Sequence, residues 1–195
     1  MVDIIRDGCW LTMAQGKQDG DRVRKVRLSA AVSLDGFIAG PNGEHDWIVM
    51  DPDIDFGALM ASFDTVLIGR RTYEATRQHG AGGMPGMQAY VFSRTLRQED
   101  CEGVTVATDP KETVDLLKRT KGKDIWLFGG GELFGSLLDL NLVDSVELAV
   151  IPVLLGDGLP LLPPTAQRAR LKLLRHRVYP RTGTVSLEYE PDEAG

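Results

Sequence analysis

Cysteine is nearly missing from this chain: Cys9 and Cys101 are the only two in 195 residues, and they lie far apart. Such a pair does not make a disulfide framework, and a reducing cytoplasm is the expected compartment. Histidine is equally sparse. His45, His79 and His176 show no metal-ligand spacing with one another or with cysteine, so no metal is expected. No apolar run approaches the roughly 20 residues that a membrane-spanning helix needs. Asp3, Arg6 and Asp7 break up the N-terminus, which has no signal-peptide core. Excess positive charge is also lacking: 22 Lys and Arg face 28 Asp and Glu, for a net charge of −6. A general nucleic-acid binder gains affinity from clustered positive charge, so that class is disfavoured.

What is present suffices for a core. With 43% hydrophobic and 26% charged residues, the composition fits one globular domain of ordinary size. The stretch 124–140 anchors the reading. Asp124-Ile125-Trp126-Leu127-Phe128 suits a buried strand, and Gly129-Gly130-Gly131 follow. Leu133, Leu137 and Leu140 then fall on one helix face. A bare turn before a helix either serves as a tight βα connection or presents backbone N–H groups to a phosphate. Both readings stand at this point.

Residues 1–24 read as a loosely attached extension, or as residues upstream of an alternative start at Met13. A strand is expected over 25–33, then a long loop with a tight turn at Pro41-Asn42-Gly43. Pro52, flanked by Asp51, Asp53 and Asp55, predicts a helix start, continued by Phe56, Leu59, Met60 and Phe63. Strands follow over 64–69, 89–93 and 104–107, with a helix from Arg70 and a flexible loop over 80–86. Asp109-Pro110-Lys111-Glu112 is a helix-start signature, and that helix runs to about Arg119 with Gly122 closing it. A strand over 144–153, a Gly/Pro-rich loop over 154–164, and a hairpin of 171–179 with 184–189 complete the chain. Strands alternating with helices, then a hairpin, mean a mostly parallel α/β sheet with an antiparallel edge.

Ligands of open α/β sheets bind beyond the carboxyl ends of the strands. Four such ends carry Asp35-Gly36, Gly69-Arg70-Arg71-Thr72, Ser93-Arg94 and Gly129-Gly130-Gly131. Arginines and hydroxyls beside a glycine-lined helix start suit a ligand with several phosphates, although an Arg-Arg pair also suits a solvated helix face. The G-x-G-x-x-G, P-loop and G-x-S-x-G patterns are all absent.

Four motifs in order carry a family resemblance: Ser33-Leu34-Asp35-Gly36-Phe37-Ile38-Ala39, Gly69 to Glu74, Phe128 to Leu133, and Ile151 to Gly158. Together, over about 25–190, they resemble the dihydrofolate reductase superfamily. More narrowly, they resemble the branch that includes the reductase domain of bifunctional riboflavin-biosynthesis deaminase-reductases. The resemblance implies a dihydrofolate reductase-like three-layer α/β fold, with a central mixed, mostly parallel eight-stranded sheet and a C-terminal antiparallel hairpin. It also implies hydride transfer from NADPH. On that pattern Gly69, Arg70, Arg71 and Thr72 match pyrophosphate and 2′-phosphate contacts, and Ser93 and Arg94 the adenosine-phosphate side. Gly129, Gly130 and Gly131 lie beneath nicotinamide and diphosphate, with Glu132 and Leu133 completing the motif. Ile38 and Ala39 match the loop over the nicotinamide. On the substrate side Trp47 matches, and Asp53 is the first choice for the acid of folate reductases, although these carboxylates equally suit helix capping. Asp35 either orients a ring amide or closes its turn. Riboflavin-pathway reductases carry Glu immediately before the paired glycines, where this chain has Phe128.

The resulting expectation is an NADPH-dependent reductase of a small heterocycle, in the style of the riboflavin-pathway pyrimidine reductase. The alternatives are a dihydrofolate reductase and a non-catalytic NADPH-binding protein. The apolar strand 146–153 and the terminal hairpin leave an edge for a second subunit, so a homodimer is expected.

Overall fold

The computed structural model describes residues 22–78, 83–164 and 166–192. Strand β1 (Val26–Ser33) lies mid-sheet and alternates its faces: Val26, Leu28 and Val32 are buried. Its neighbours are β6 (Asp124–Gly129) and β7 (Ser145–Ile151), both parallel to it. Beyond β6 lie β3 (Phe63–Gly69), β4 (Gln88–Phe92) and β5 (Thr105–Ala107), again parallel. Beyond β7 lie β10 (Thr184–Pro191), antiparallel to β7, and β9 (Leu171–Tyr179), antiparallel to β10. The result is one eight-stranded sheet in the order β5-β4-β3-β6-β1-β7-β10-β9. This is the mixed, mostly parallel arrangement with a terminal hairpin that the alternation of motifs implies.

Two helical layers cover it. Helices α3 (Pro110–Arg119) and α4 (Gly131–Asp139) bury Val114, Leu117, Phe134, Leu137 and Leu138 against Leu67, Ile125 and Leu127. On the other face α1 (Phe56–Ala61) and α2 (Arg70–Gln78) bring Leu59, Met60 and Tyr73 to Phe63, Val66, Ile68 and Trp126. Each fully buried aliphatic side chain contributes about 1.5–3 kcal/mol of transfer free energy. Trp126 stacks on Phe63 at 5.8 Å and meets Phe128 edge-on at 4.9 Å, so Phe128 belongs to this second core.

Local chemistry sets the boundaries. Asp109 caps α3 by accepting the Glu112 N–H at 2.9 Å, with Pro110 at the first helical position, as the signature predicts. Thr120 rather than Gly122 ends that helix. The role of Gly122 is room: a Cβ there would lie 2.9 Å from the Arg24 guanidinium carbon. Helix α1 begins at Phe56 rather than Pro52, because Asp51 turns inward and Asp55 takes the cap, accepting the Ala58 N–H at 2.8 Å. Phe63 leaves the helical pattern and opens β3, paired with Asp124. Two of the segments expected as loops each contribute a short strand: β2 (Phe37–Ala39) pairs antiparallel with β8 (Leu159–Pro160). Apolar pairs inside turn-rich sequence found partners in each other, which no local pattern reveals.

Candidate functional site

The carboxyl ends of β1, β3, β4, β6 and β7 open onto one rim, and the glycines there are closely fitted. Gly69, the last residue of β3, is set so that a Cβ on it would touch Gly129 O and Gly130 N, both at 3.5 Å. One on Gly130 would meet Thr72 Oγ1 at 3.2 Å, and one on Gly131 the carbonyl oxygens of Pro160 and Leu161 at 2.8 and 2.9 Å. The βα turns after β3 and β6 therefore touch, and β8, which pairs with the β2 strand carrying Ile38 and Ala39, lies against the start of α4. Gly129 differs from its neighbours. Its φ of +124° is one that side chains avoid, and nothing lies within 4 Å of where a Cβ would point. The Gly129–Gly130 peptide is cis.

Helix α4 starts without a side-chain cap. Its first N–H groups and the positive end of its dipole lie at the rim, which is an anion-favouring arrangement. Leu133 is buried below, with its N–H bonded to Gly130 O at 3.0 Å, so it supports the turn and is not available at the surface.

The arginines of the rim are not equivalent. Arg70 is paired with Glu74 on its own helix at 3.0 Å. Arg71 reaches across to Glu132 in the first turn of α4 at 3.1 Å, and both side chains are about three-quarters exposed. Arg94 is exposed and has no hydrogen bond or ion pair with any described residue. It stands just past the end of β4, whose Phe92 pairs with Gly69. Ser93 is buried, and its hydroxyl accepts the Thr95 and Leu96 N–H groups at 3.1 and 2.9 Å, a local turn cap.

The substrate-side residues are more scattered. Asp35 accepts the Ser33 hydroxyl at 2.6 Å, the Gly156 N–H at 2.8 Å and the Leu155 N–H at 3.1 Å. The Ser33 hydroxyl, followed by the Gly156 N–H, holds its carboxyl below the usual range. It ties the end of β1 to the segment after β7, so of its two sequence readings the turn-closing one has the contacts. The indole N–H of Trp47 bonds to Glu44 O at 3.1 Å. Asp53 is exposed, and its carboxylate contacts no described group. Neither is tied to the glycine rim by any bond among the described residues.

The carboxylate that sequence reasoning passed over is Asp51, only 1% exposed. It accepts the Asp53 N–H at 3.0 Å and the Thr182 hydroxyl at 2.9 Å, and Thr182 in turn lies 2.9 Å from the Thr184 hydroxyl. The Asp53 N–H is the main cause holding its carboxyl below the ordinary value, with Thr182 and Arg181 adding to it. Nothing in a run of three alternating aspartates singles it out. The distinguishing partner lies 131 positions away.

The chain is similar to known proteins. Residues 24–184 match the model of the RibD C-terminal domain. The chain belongs to the RibD C-terminal domain family. It is 37% identical over 178 residues to the uncharacterized protein YyaP of Bacillus subtilis (strain 168), covering 85% of this chain and 94% of that one. Among solved structures, a candidate riboflavin biosynthesis protein from Shewanella sp. PV-4 superposes with a TM-score of 0.73 at 23% identity, covering 87% of this chain and 99% of the other. Dihydrofolate reductase from Enterococcus faecalis, complexed with NADP(H), superposes with a TM-score of 0.64 at 16% identity, covering 87% and 97%. The fold is therefore dihydrofolate reductase-like, and the family is that of the RibD C-terminal domain.

Proposed function

We propose that this protein is an NADPH-dependent reductase that transfers a hydride to a small heterocyclic substrate, in the manner of the riboflavin-pathway pyrimidine reductase. One observation carries the reading: the uncapped start of α4, the open face of Gly129 and Arg94, a cation without a partner among the described residues, share a single rim. The residues present fit the cofactor. Gly129 leaves space for a flat ring, the first N–H groups of α4 and Thr72 suit a diphosphate, and Arg94 suits a further phosphate. An extra phosphate rewards a free guanidinium, which favours NADPH over NADH. When bound, NADPH supplies the hydride. The chain's own part is positional: β8, which pairs with Phe37–Ala39, sets Pro160 and Leu161 beside Gly131, and Asp35 fixes the loop after β7. Family membership supports reductase chemistry, and the Enterococcus neighbour in its NADP(H) complex supports the cofactor.

Fluorescence titration with NADPH tests the reading; saturation in the micromolar range is expected, and no saturable binding would refute it. A metabolite panel of pyrimidines and pteridines, followed by NADPH oxidation, then assigns the substrate. Folate reduction through Asp53 is the weaker reading, because that carboxylate is exposed while Asp51 is the buried one.

We also propose a homodimer in the cytoplasm. Edge strand β9 is exposed from Leu171 to Val178, and Leu173 and Val178 lie on one sheet face with Val185, Leu187 and Val150. An apolar face at an open edge favours a second sheet. A dimer mass in light scattering that falls to the monomer in Val178→Asp is expected; a wild-type monomer would contradict the idea.

A further inference from the structure

Among the ion pairs of the rim, one joins the two phosphate-facing turns to each other. Arg71 belongs to the first turn of α2 and Glu132 to the first turn of α4, and they meet at 3.1 Å beside the contact of Thr72 with Gly130. The Arg70–Glu74 pair lies on one helix and bridges nothing. Glu132 stands where an anion is favoured three times over: at a helix N-terminus, on an uncapped turn and against a guanidinium. Its carboxylate thus occupies the electrostatic position that a ligand phosphate would take. Because both side chains are mostly exposed, water and salt screen the pair and its opening costs little.

We propose that Glu132 is a resident competitor for Arg71 and sets the affinity and salt dependence of the cofactor rim. In the free protein the carboxylate neutralises Arg71 and closes the α2–α4 gap. On binding, a phosphate of the dinucleotide replaces it on Arg71, and Glu132 turns out to solvent without any change of backbone or of bonding. Glu132 is in this sense a specificity-determining residue acting through Arg71. The inference rests on reading the rim as a dinucleotide site, and it predicts a gain where loss is usual: removing a residue of the family motif strengthens binding.

A double-mutant cycle on NADPH dissociation constants tests it, with wild type, Glu132→Gln, Arg71→Ala and the double variant measured at low and high salt. In the Arg71 background, Glu132→Gln is expected to tighten binding by about three- to fivefold, the range of an exposed pair. The same change is expected to steepen the salt dependence, because an unpaired guanidinium then meets the phosphate. In the Arg71→Ala background the gain disappears. Equal effects in both backgrounds, no change, or weaker binding by Glu132→Gln would each overturn the proposal; the last would make Glu132 a direct acceptor from the ligand. If wild type binds no NADPH at all, the cofactor reading falls by itself. Inorganic pyrophosphate then replaces NADPH in the same cycle, where coupling through Arg71 upholds the competition and its absence overturns it. Unchanged thermal midpoints of all four proteins exclude a folding effect.

Discussion

At the amino ends of the strands, Arg24 is 3% exposed and bonded to Asp64, Thr65 Oγ1 at 2.7 Å, Thr120 Oγ1 at 3.0 Å and Lys123 O at 2.6 Å. Beside it, Arg27 holds Glu147 at 2.6 and 2.8 Å and Asp124 at 3.2 Å, and lies over the Phe63 ring at 4.7 Å. Its hydrogen bonds to the Glu147 carboxylate hold its pKa above the ordinary arginine value, so it stays charged despite partial burial. Asp144 accepts Val26 N–H and Lys118, both at 2.7 Å. At the carboxyl ends the same residue types are arranged otherwise. Arg71 and Glu132 are exposed, Arg94 has no partner among the described residues, and the start of α4 carries no side-chain cap. One edge surrounds Arg24 and Arg27 with several acceptors each and takes them largely out of water; the other leaves its cations exchangeable. The difference separates charges that hold the sheet together from charges available to a ligand, since a desolvated cation released from its partners has nowhere to go.

The contrast can be broken most forcefully at Arg24. Arg24→Ala removes a buried guanidinium from five acceptors and strips Asp64 of its ion-pair partner, so a loss of about 3 kcal/mol is expected. A urea midpoint at or near that of wild type would erase the distinction between the edges. At the rim, Arg94→Ala is expected to leave that midpoint in place and to weaken NADPH binding about tenfold, the loss of roughly one charge-assisted hydrogen bond. Titration of NADPH against both proteins measures it, and a matching loss for NADH would assign Arg94 to the diphosphate instead of the extra phosphate.

The smallest effect is a matter of pH. Asp35 has its folded pKa held below the ordinary 3.8 by Ser33 and the Gly156 and Leu155 N–H groups. The stabilisation is therefore complete above 3.8 and is lost as pH falls through the lower folded value. Asp35→Asn should flatten this part of the acid unfolding curve below about pH 4 while leaving the curve near pH 7 parallel to wild type. An unaltered acid limb in thermal scans would mean that the loop after β7 does not depend on this carboxylate.

Much of this was legible from local pattern. Asp109-Pro110 with Glu112 specified the start of α3, because a cap, a pre-set φ and the first-turn N–H groups are all neighbours in sequence. The run 124–140 likewise reads directly as strand, glycine turn and helix, since period and backbone freedom are local properties. Long-range pairing was not legible. The short strands β2 and β8 lie more than a hundred residues apart and exist only through each other. Asp51 and Asp53 look alike beside Pro52, and only the approach of Thr182 buries the first and leaves the second in water.

The rim itself divides in the same way. Residue type alone put glycines, arginines and hydroxyls at four strand ends, because a parallel sheet brings those ends to one edge. Which cation is free was decided by the fold. Arg70, Arg71 and Arg94 have the same guanidinium, but Glu74 comes to the first along its own helix, and Glu132 comes to the second across 61 positions of chain. Arg94 is left with no described partner. Charge type is written in the sequence, whereas charge pairing depends on which distant turns the packed sheet sets side by side.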